Sequence, residues 1–144
     1  MKLIKNLNYK KILSLFLKQD ASPFFNAKGI AVGVFFGCFP FFGFQTLLGL
    51  FLARVIKGNL FLAAIGTWIS NPFTYFPLYF FNYKVGSSLL KNSPDIIFDK
   101  NFMIEELWKK GSFFSLRLIL GSAIVGFFLA SVSGAIVFLL YKRK

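Results

Sequence analysis

The residues from Asn59 to Tyr83 carry no charge, yet the middle of this run is polar and broken by proline. Its 25 positions are enough for a bilayer crossing, which takes roughly 20 residues at ~1.5 Å each. An unbroken, lipid-facing helix is nevertheless a poor fit. Gly66-Thr67-Trp68-Ile69-Ser70-Asn71-Pro72-Phe73-Thr74 sits at the centre, and Pro72 and Pro77 each remove a backbone donor. Irregular backbone at membrane depth persists only where protein or a water-filled cavity covers it. The run therefore predicts a broken or re-entrant helix packed against the rest of a small membrane protein.

A related run precedes it. Gly29 to Ala53, bounded by Lys28 and Arg54, is interrupted at Pro40-Phe41-Phe42-Gly43, with Gln45 and Thr46 directly after. Pro40 ends a helix, and Gly43 permits a chain reversal. Gly29, Gly33 and Gly37 recur every four residues on one helical face, a spacing that lets two helices approach closely. A packing face without a ligand is enough to account for them. Paired, interrupted hydrophobic segments point to the site in many transporters, and Pro40 and Pro72 suggest an internal repeat although the detailed alignment is poor. A third run, Leu118 to Tyr141, has no proline and a scatter of Gly121, Ser122, Gly126 and Gly134. It predicts one continuous transmembrane helix.

Composition places the chain in its class. It is 56% hydrophobic and 20% aromatic, and its 15% charged residues fall well below the ~25% of an ordinary soluble domain. The 22 Phe residues exceed what a soluble chain of 144 residues can bury. The expected fold is an all-α integral membrane protein, a single membrane domain over 23–144 preceded by a basic interfacial helix over 1–22. Within that domain, two Pro/Gly-interrupted hydrophobic segments (29–53 and 59–83), spanning or re-entrant, accompany the continuous helix at 118–141. Lys2, Lys5, Lys10, Lys11 and Lys18 alternate with Leu, Ile and Phe in the amino-terminal helix, the alternative there being a solvated basic tail. Ile12–Leu17 is too short an apolar core for a signal peptide and is followed at once by Lys18, Gln19 and Asp20. Pro23 or Asn26 is expected to open the next helix.

The net charge of +12 flanks the apolar runs, which suits anionic lipid headgroups, worth ~1 kcal/mol per surface Lys or Arg. No nucleic-acid motif accompanies it. Asp95, Asp99, Glu105 and Glu106 cluster between the second and third runs. With no His in the chain they read as solvated partners of Lys100, Lys109 and Lys110 rather than a metal site. Phe102 to Trp108 fits a short interfacial helix with Trp108 at headgroup level. Cys38 is the only cysteine and reads as a small buried thiol.

Catalysis needs a nucleophile with a base, a carboxylate pair or a metal set. The apolar runs contain no acid and the chain no His, so neither independent catalysis nor a cofactor is expected. The candidate site is a polar cluster at membrane depth: Gln45, Thr46, Thr67, Ser70, Asn71 and Thr74, beside helix breaks at Pro40, Gly43, Pro72 and Pro77. These side chains serve a headgroup or solute, or they satisfy backbone groups freed by the prolines. Trp68 lies too deep for an aromatic belt and is expected to pack against the break.

Lys and Arg counts bear on orientation. Six precede or open the first run, two lie at Arg54 and Lys57, six lie between 84 and 117, and three close the chain. Three spanning runs divide them twelve against five, with the amino terminus cytoplasmic. Two re-entrant runs give fourteen against three, and both versions leave Lys142-Arg143-Lys144 outside.

At these residues the sequence resembles domain-of-unknown-function family two thousand and sixty-two, a prokaryotic family. The pattern is Ile30-Ala31-Val32-Gly33, Gly37, Phe39-Pro40, Gly43, Gln45, Leu52-Ala53 and Asn59. It continues through Gly66 to Thr74, then Pro77, Tyr79, Tyr83 and Gly86. The likeness covers roughly residues 20 to 140 and implies a small membrane protein of the bacterial cytoplasmic membrane. The likeness also implies that some members carry the domain beside a glycosyltransferase domain, and no such domain is expected within these 144 residues. Three functions follow as expectations: binding or moving a lipid-linked or phosphorylated amphipathic substrate, holding a glycosyltransferase at the membrane without catalysis, or a structural role without ligand.

Overall fold

The computed structural model describes residues 22–41, 43–90 and 104–143, with side chains from 111 onward in the last stretch. The basic helix expected at 1–22 falls, apart from Ser22, outside the described residues. So do Asp95, Asp99 and the side chains of Glu105, Glu106 and Trp108. The described residues form five helices and no strand: α1 (Pro23–Gly37), α2 (Phe44–Val55), α3 (Leu60–Thr67), α4 (Tyr75–Leu89) and α5 (Ile104–Lys142).

Local chemistry sets the helix ends. Ser22 caps α1 by accepting from the Phe25 amide at 3.2 Å, and Pro23 takes the first position, where a missing amide costs nothing. Asn26 lies inside the helix and does not begin it. Cys38 closes α1, and Pro40 prevents its continuation. Gly43, at φ +83°, turns the chain so that α2 runs back beside α1. The return is closed where Lys28 Nζ donates to the Ile56 carbonyl at 3.3 Å. Asn59 then caps α3 through the amides of Phe61 (3.0 Å) and Leu62 (3.3 Å). Pro77, expected as a break, instead occupies the first turn of α4, where its absent donor has no intrahelical partner to lose.

Backbone approach fixes the helix directions. Gly29 faces the Asn59 backbone, Gly33 faces Ala63 and Gly37 faces Thr67, a register that rises together and makes α1 and α3 parallel. Gly86 faces Arg117 and Gly121 faces Asn82, so α4 and α5 are antiparallel. Gly126 lies against Phe35 and Cys38, and Gly134 against Ala31 and Ala27, so α5 also runs against α1. α1, α3 and α4 therefore point one way, and α2 and α5 the other. The two interrupted runs behave differently: the first folds back on itself, whereas the second breaks and continues. The 8 residues of α3 and 15 of α4 together rise roughly 35 Å.

The interior is polar and small, and the exterior is large and apolar. Asn26, Asn82 and Ser122 are wholly buried, while Phe73 is 91% exposed, Phe76 83% and Trp68 76%. A water-soluble fold sorts these residue types the other way. Trp68 thus points outward rather than against the break, because the space inside is filled by glycine, threonine and serine. α5 extends well beyond the expected 118–141. Its Gly111–Lys142 stretch is the one helix among the described residues long and apolar enough to cross a bilayer, and only 17% of its most apolar window is buried within the protein. The core helix of a soluble domain would be mostly covered.

Gly33→Leu drives a side chain into the Ala63 backbone and is expected to cost ~1–3 kcal/mol in detergent-solubilised thermal unfolding. Gly111→Ala, where a Cβ meets open space within a helix, is expected to be neutral or to gain up to about 1 kcal/mol in the same measurement.

Candidate functional site at the helix interruptions

The turn between α3 and α4 meets its own hydrogen-bonding needs. Asn71 Oδ1 accepts from the amides of Phe73 (2.9 Å) and Thr74 (3.1 Å), an arrangement that Asn supports well in turns. Thr74 Oγ1 accepts from the Asn71 amide at 2.9 Å and donates to the Ile69 carbonyl at 2.6 Å. Asn71 Nδ2 reaches the Trp68 carbonyl at 3.4 Å. Pro72 sits where no donor is required. The Ser-Asn-Pro-Phe-Thr segment is therefore a helix break that leaves few backbone groups wanting.

The other four candidates join the two interruptions. Ser70 Oγ lies 3.1 Å from Gln45 Oε1, with the Thr67 carbonyl a longer alternative at 3.4 Å. Thr46 and Thr67 hydroxyls are 3.0 Å apart. Thr67 gives its one hydroxyl hydrogen to the Ala64 carbonyl at 2.7 Å, so Thr46 is the donor between them. Gln45, Thr67 and Ser70 are buried. The structure thus brings Gln45, Thr46, Thr67 and Ser70 together across α2 and α3, while Asn71 and Thr74 shape the adjoining turn.

Seven further residues complete this polar interior, none of them among the site candidates read from sequence. Asn82 Nδ2 donates to the Cys38 carbonyl at 2.9 Å and to Ser122 Oγ at 3.0 Å. Tyr79 donates to the Phe39 carbonyl at 3.2 Å, so α4 satisfies two carbonyls freed where α1 ends. Asn59 Nδ2 donates to Asn26 Oδ1 at 2.7 Å, and its amide to the Phe25 carbonyl at 2.9 Å, tying the starts of α3 and α1. Arg117 is buried and donates from Nη1 to the Tyr83 hydroxyl at 3.0 Å. The available signal was spacing: Asn82 precedes Gly86 by four residues, and Arg117 precedes Gly121 by four, placing each on a close-packing face.

Two grooves flank the line where α4 meets α5. One, of about 670 Å³, opens beside the break between Ile69, Thr74, Pro77 and Phe81 on one side and Ile124 and Phe128 on the other. The second, of about 520 Å³, is lined by Tyr75, Tyr79, Tyr83 and Phe80 of α4 with Phe114 and Leu118 of α5. Both are overwhelmingly apolar. Among the described residues no group of three His, Cys, Asp or Glu is placed to hold a metal.

A family model described as an uncharacterized protein conserved in bacteria (DUF2062) matches residues 8–144. No curated protein and no solved structure matches the chain.

Asn71→Ala strips the acceptor from two turn amides and is expected to destabilise by ~1–2 kcal/mol, with faster hydrogen exchange at Phe73 and Thr74. Thr46→Val leaves the Thr67–Ala64 bond in place and is expected to cost less than about 1 kcal/mol.

Proposed function

The chain belongs to the DUF2062 family, and we propose that it is a multi-pass protein of the bacterial cytoplasmic membrane that binds and moves an amphipathic, lipid-linked substrate. The observation that carries this reading is the inverted interior. Polar residues are paired at the helix breaks, and an apolar groove of about 670 Å³ opens beside one break. A groove with almost no polar lining suits a hydrocarbon chain, and the polar break beside it suits the linkage to a headgroup. It does not suit a free hydrophilic solute.

The helix directions support a specific topology. Residues 29–53 re-enter: α1 reaches mid-depth, turns at Pro40–Gly43 and returns as α2. Residues 59–83 cross, broken at mid-depth, and α5 crosses back. Lys28, Arg54, Lys57, Lys142 and Arg143 then lie at one face, with Lys84 and Arg117 toward the other. Lys and Arg divide eleven against six, placing the amino-terminal flank, the α2–α3 link and the end of α5 in the cytoplasm. Unlike the two uniform arrangements considered from sequence, this mixed one brings Lys142-Arg143-Lys144 to the basic side.

Single cysteines at Arg54, Leu90 and Arg143, introduced on a Cys38→Ser background, test the topology with an impermeant maleimide. Arg54→Cys and Arg143→Cys should react from one side and Leu90→Cys from the other. Labelling of Arg54→Cys and Arg143→Cys from opposite sides excludes a crossing by 59–83 that α5 returns, and a Ser22→Cys that reacts from the side opposite Arg54→Cys excludes a re-entrant first segment. For function, the chain in vesicles should bring a fluorescent lipid across the bilayer. Ile124→Trp, which fills the groove, and Gln45→Ala, which leaves Ser70 its alternative acceptor, are expected to cut that rate at least tenfold without loss of folding. Wild-type rates in both variants would remove the translocation reading. They would leave the chain a structural protein or a non-catalytic anchor for a glycosyltransferase.

A further inference from the structure

The second groove has a chemical polarity that the first lacks. Its α4 wall is aromatic along its whole length, with Tyr75, Tyr79 and Tyr83 on one row and Phe76 and Phe80 on the next. The rings are stacked along the helix: Tyr75 on Tyr79 at 5.9 Å between centroids, and Phe76 on Phe80 at 6.3 Å. Stacked rings at helical spacing make a smooth, stiff channel side, which a single hydrocarbon chain fits without ordering flexible side chains. The groove runs from the mid-length break toward the carboxyl end of α4, where Tyr83 meets Phe114 at 5.0 Å.

Among the described residues that border the groove, positive charge collects at that end. Lys84 is exposed, and its Nζ rests 4.7 Å from the centroid of Phe80, a wall ring. Arg117 lies behind Tyr83, with its guanidinium carbon 5.9 Å from the ring. Arg117 is buried and holds the Tyr83 hydroxyl. Lys84 is the accessible cation among the described residues at that end. An ammonium spread over an aromatic face, at the mouth of an apolar channel, is complementary to one ligand form: a hydrocarbon chain ending in an anion.

We infer that the aromatic groove between α4 and α5 holds one chain of an anionic phospholipid, whose phosphate pairs with Lys84. The inference rests on the membrane placement proposed above, not on substrate movement. The bound lipid sits in the leaflet at the carboxyl end of α4, on the opposite side from the α2–α3 link. Occupation fills a cleft that otherwise exposes the Tyr83–Phe114 contact, so the lipid acts as a clamp between the two crossings.

The test uses the full chain in phosphatidylcholine nanodiscs, with Trp68→Phe and Trp108→Phe removing native fluorescence and Phe114→Trp reporting from the groove wall. Brominated phosphatidylglycerol is expected to quench the reporter at a mole fraction roughly fivefold lower than brominated phosphatidylcholine. Lys84→Gln should abolish that difference and Lys84→Arg should keep it, while thermal unfolding of each variant confirms an intact fold. Equal quenching by the two lipids in the parent, or a preference that survives Lys84→Gln, overturns the inference. Absence of quenching by either lipid overturns it too, and with it the membrane placement. A preference that holds in a chain unable to move lipid supports the bound phospholipid and counts only against translocation.

Discussion

The structure depends on backbone meeting backbone. At Gly29, Gly33 and Gly66 the chains of α1 and α3 come so close that a Cβ on one would collide with main-chain atoms of the other. Gly86 and Gly121 do the same for α4 and α5. In a fold whose large side chains point outward, apolar burial between helices is slight. Dispersion at close range and interhelical hydrogen bonds remain to hold the bundle. This explains why Asn, Ser and Thr, and not Leu or Phe, are the most deeply buried side chains. Small residues bring the helices together, and that approach puts amides and hydroxyls within reach of freed carbonyls.

Proline and glycine made the interruptions legible in the sequence, and the four-residue glycine spacing made the α1 packing face legible too. What followed each break was not. Gly43 at φ +83° reverses the first run, whereas the Asn71–Thr74 turn carries the second onward. Both breaks read as a proline among small polar residues, and the outcome depends on dihedral angles and on docking at Asn59, which no local pattern encodes. Trp68 was misjudged because depth along a run says nothing about which way a side chain faces. Asn82 and Arg117 were missed for another reason. A lone amide among aromatics and a cation at the edge of a run look incidental until the opposing helix supplies Cys38, Ser122 and Tyr83. The gathering of Gln45, Thr46, Thr67 and Ser70 follows from their neighbouring prolines, since each sits where backbone groups lose their helical partners.

The hydrogen bonds of that cluster tell against a wide polar pathway. Ser70 is spent on Gln45, Thr67 on Ala64, and Asn71 and Thr74 on their own turn. Open space lies instead at the α4–α5 seam, where the lining is hydrocarbon and ring. Chemistry and geometry thus divide the labour, with a closed polar centre setting the helix angles and an apolar flank available to a chain-like ligand. The reading proposed for the protein follows from this division.

Phe24, near the start of α1, and Phe138, near the end of α5, meet edge to face with ring centroids 5.5 Å apart. The first and last helices of the bundle therefore finish side by side. A soluble module joined directly ahead of Ser22 or directly behind Arg143 would hang from nearly the same spot. Exchanging the module between those two points moves its attachment by about the width of a helix, ~10 Å.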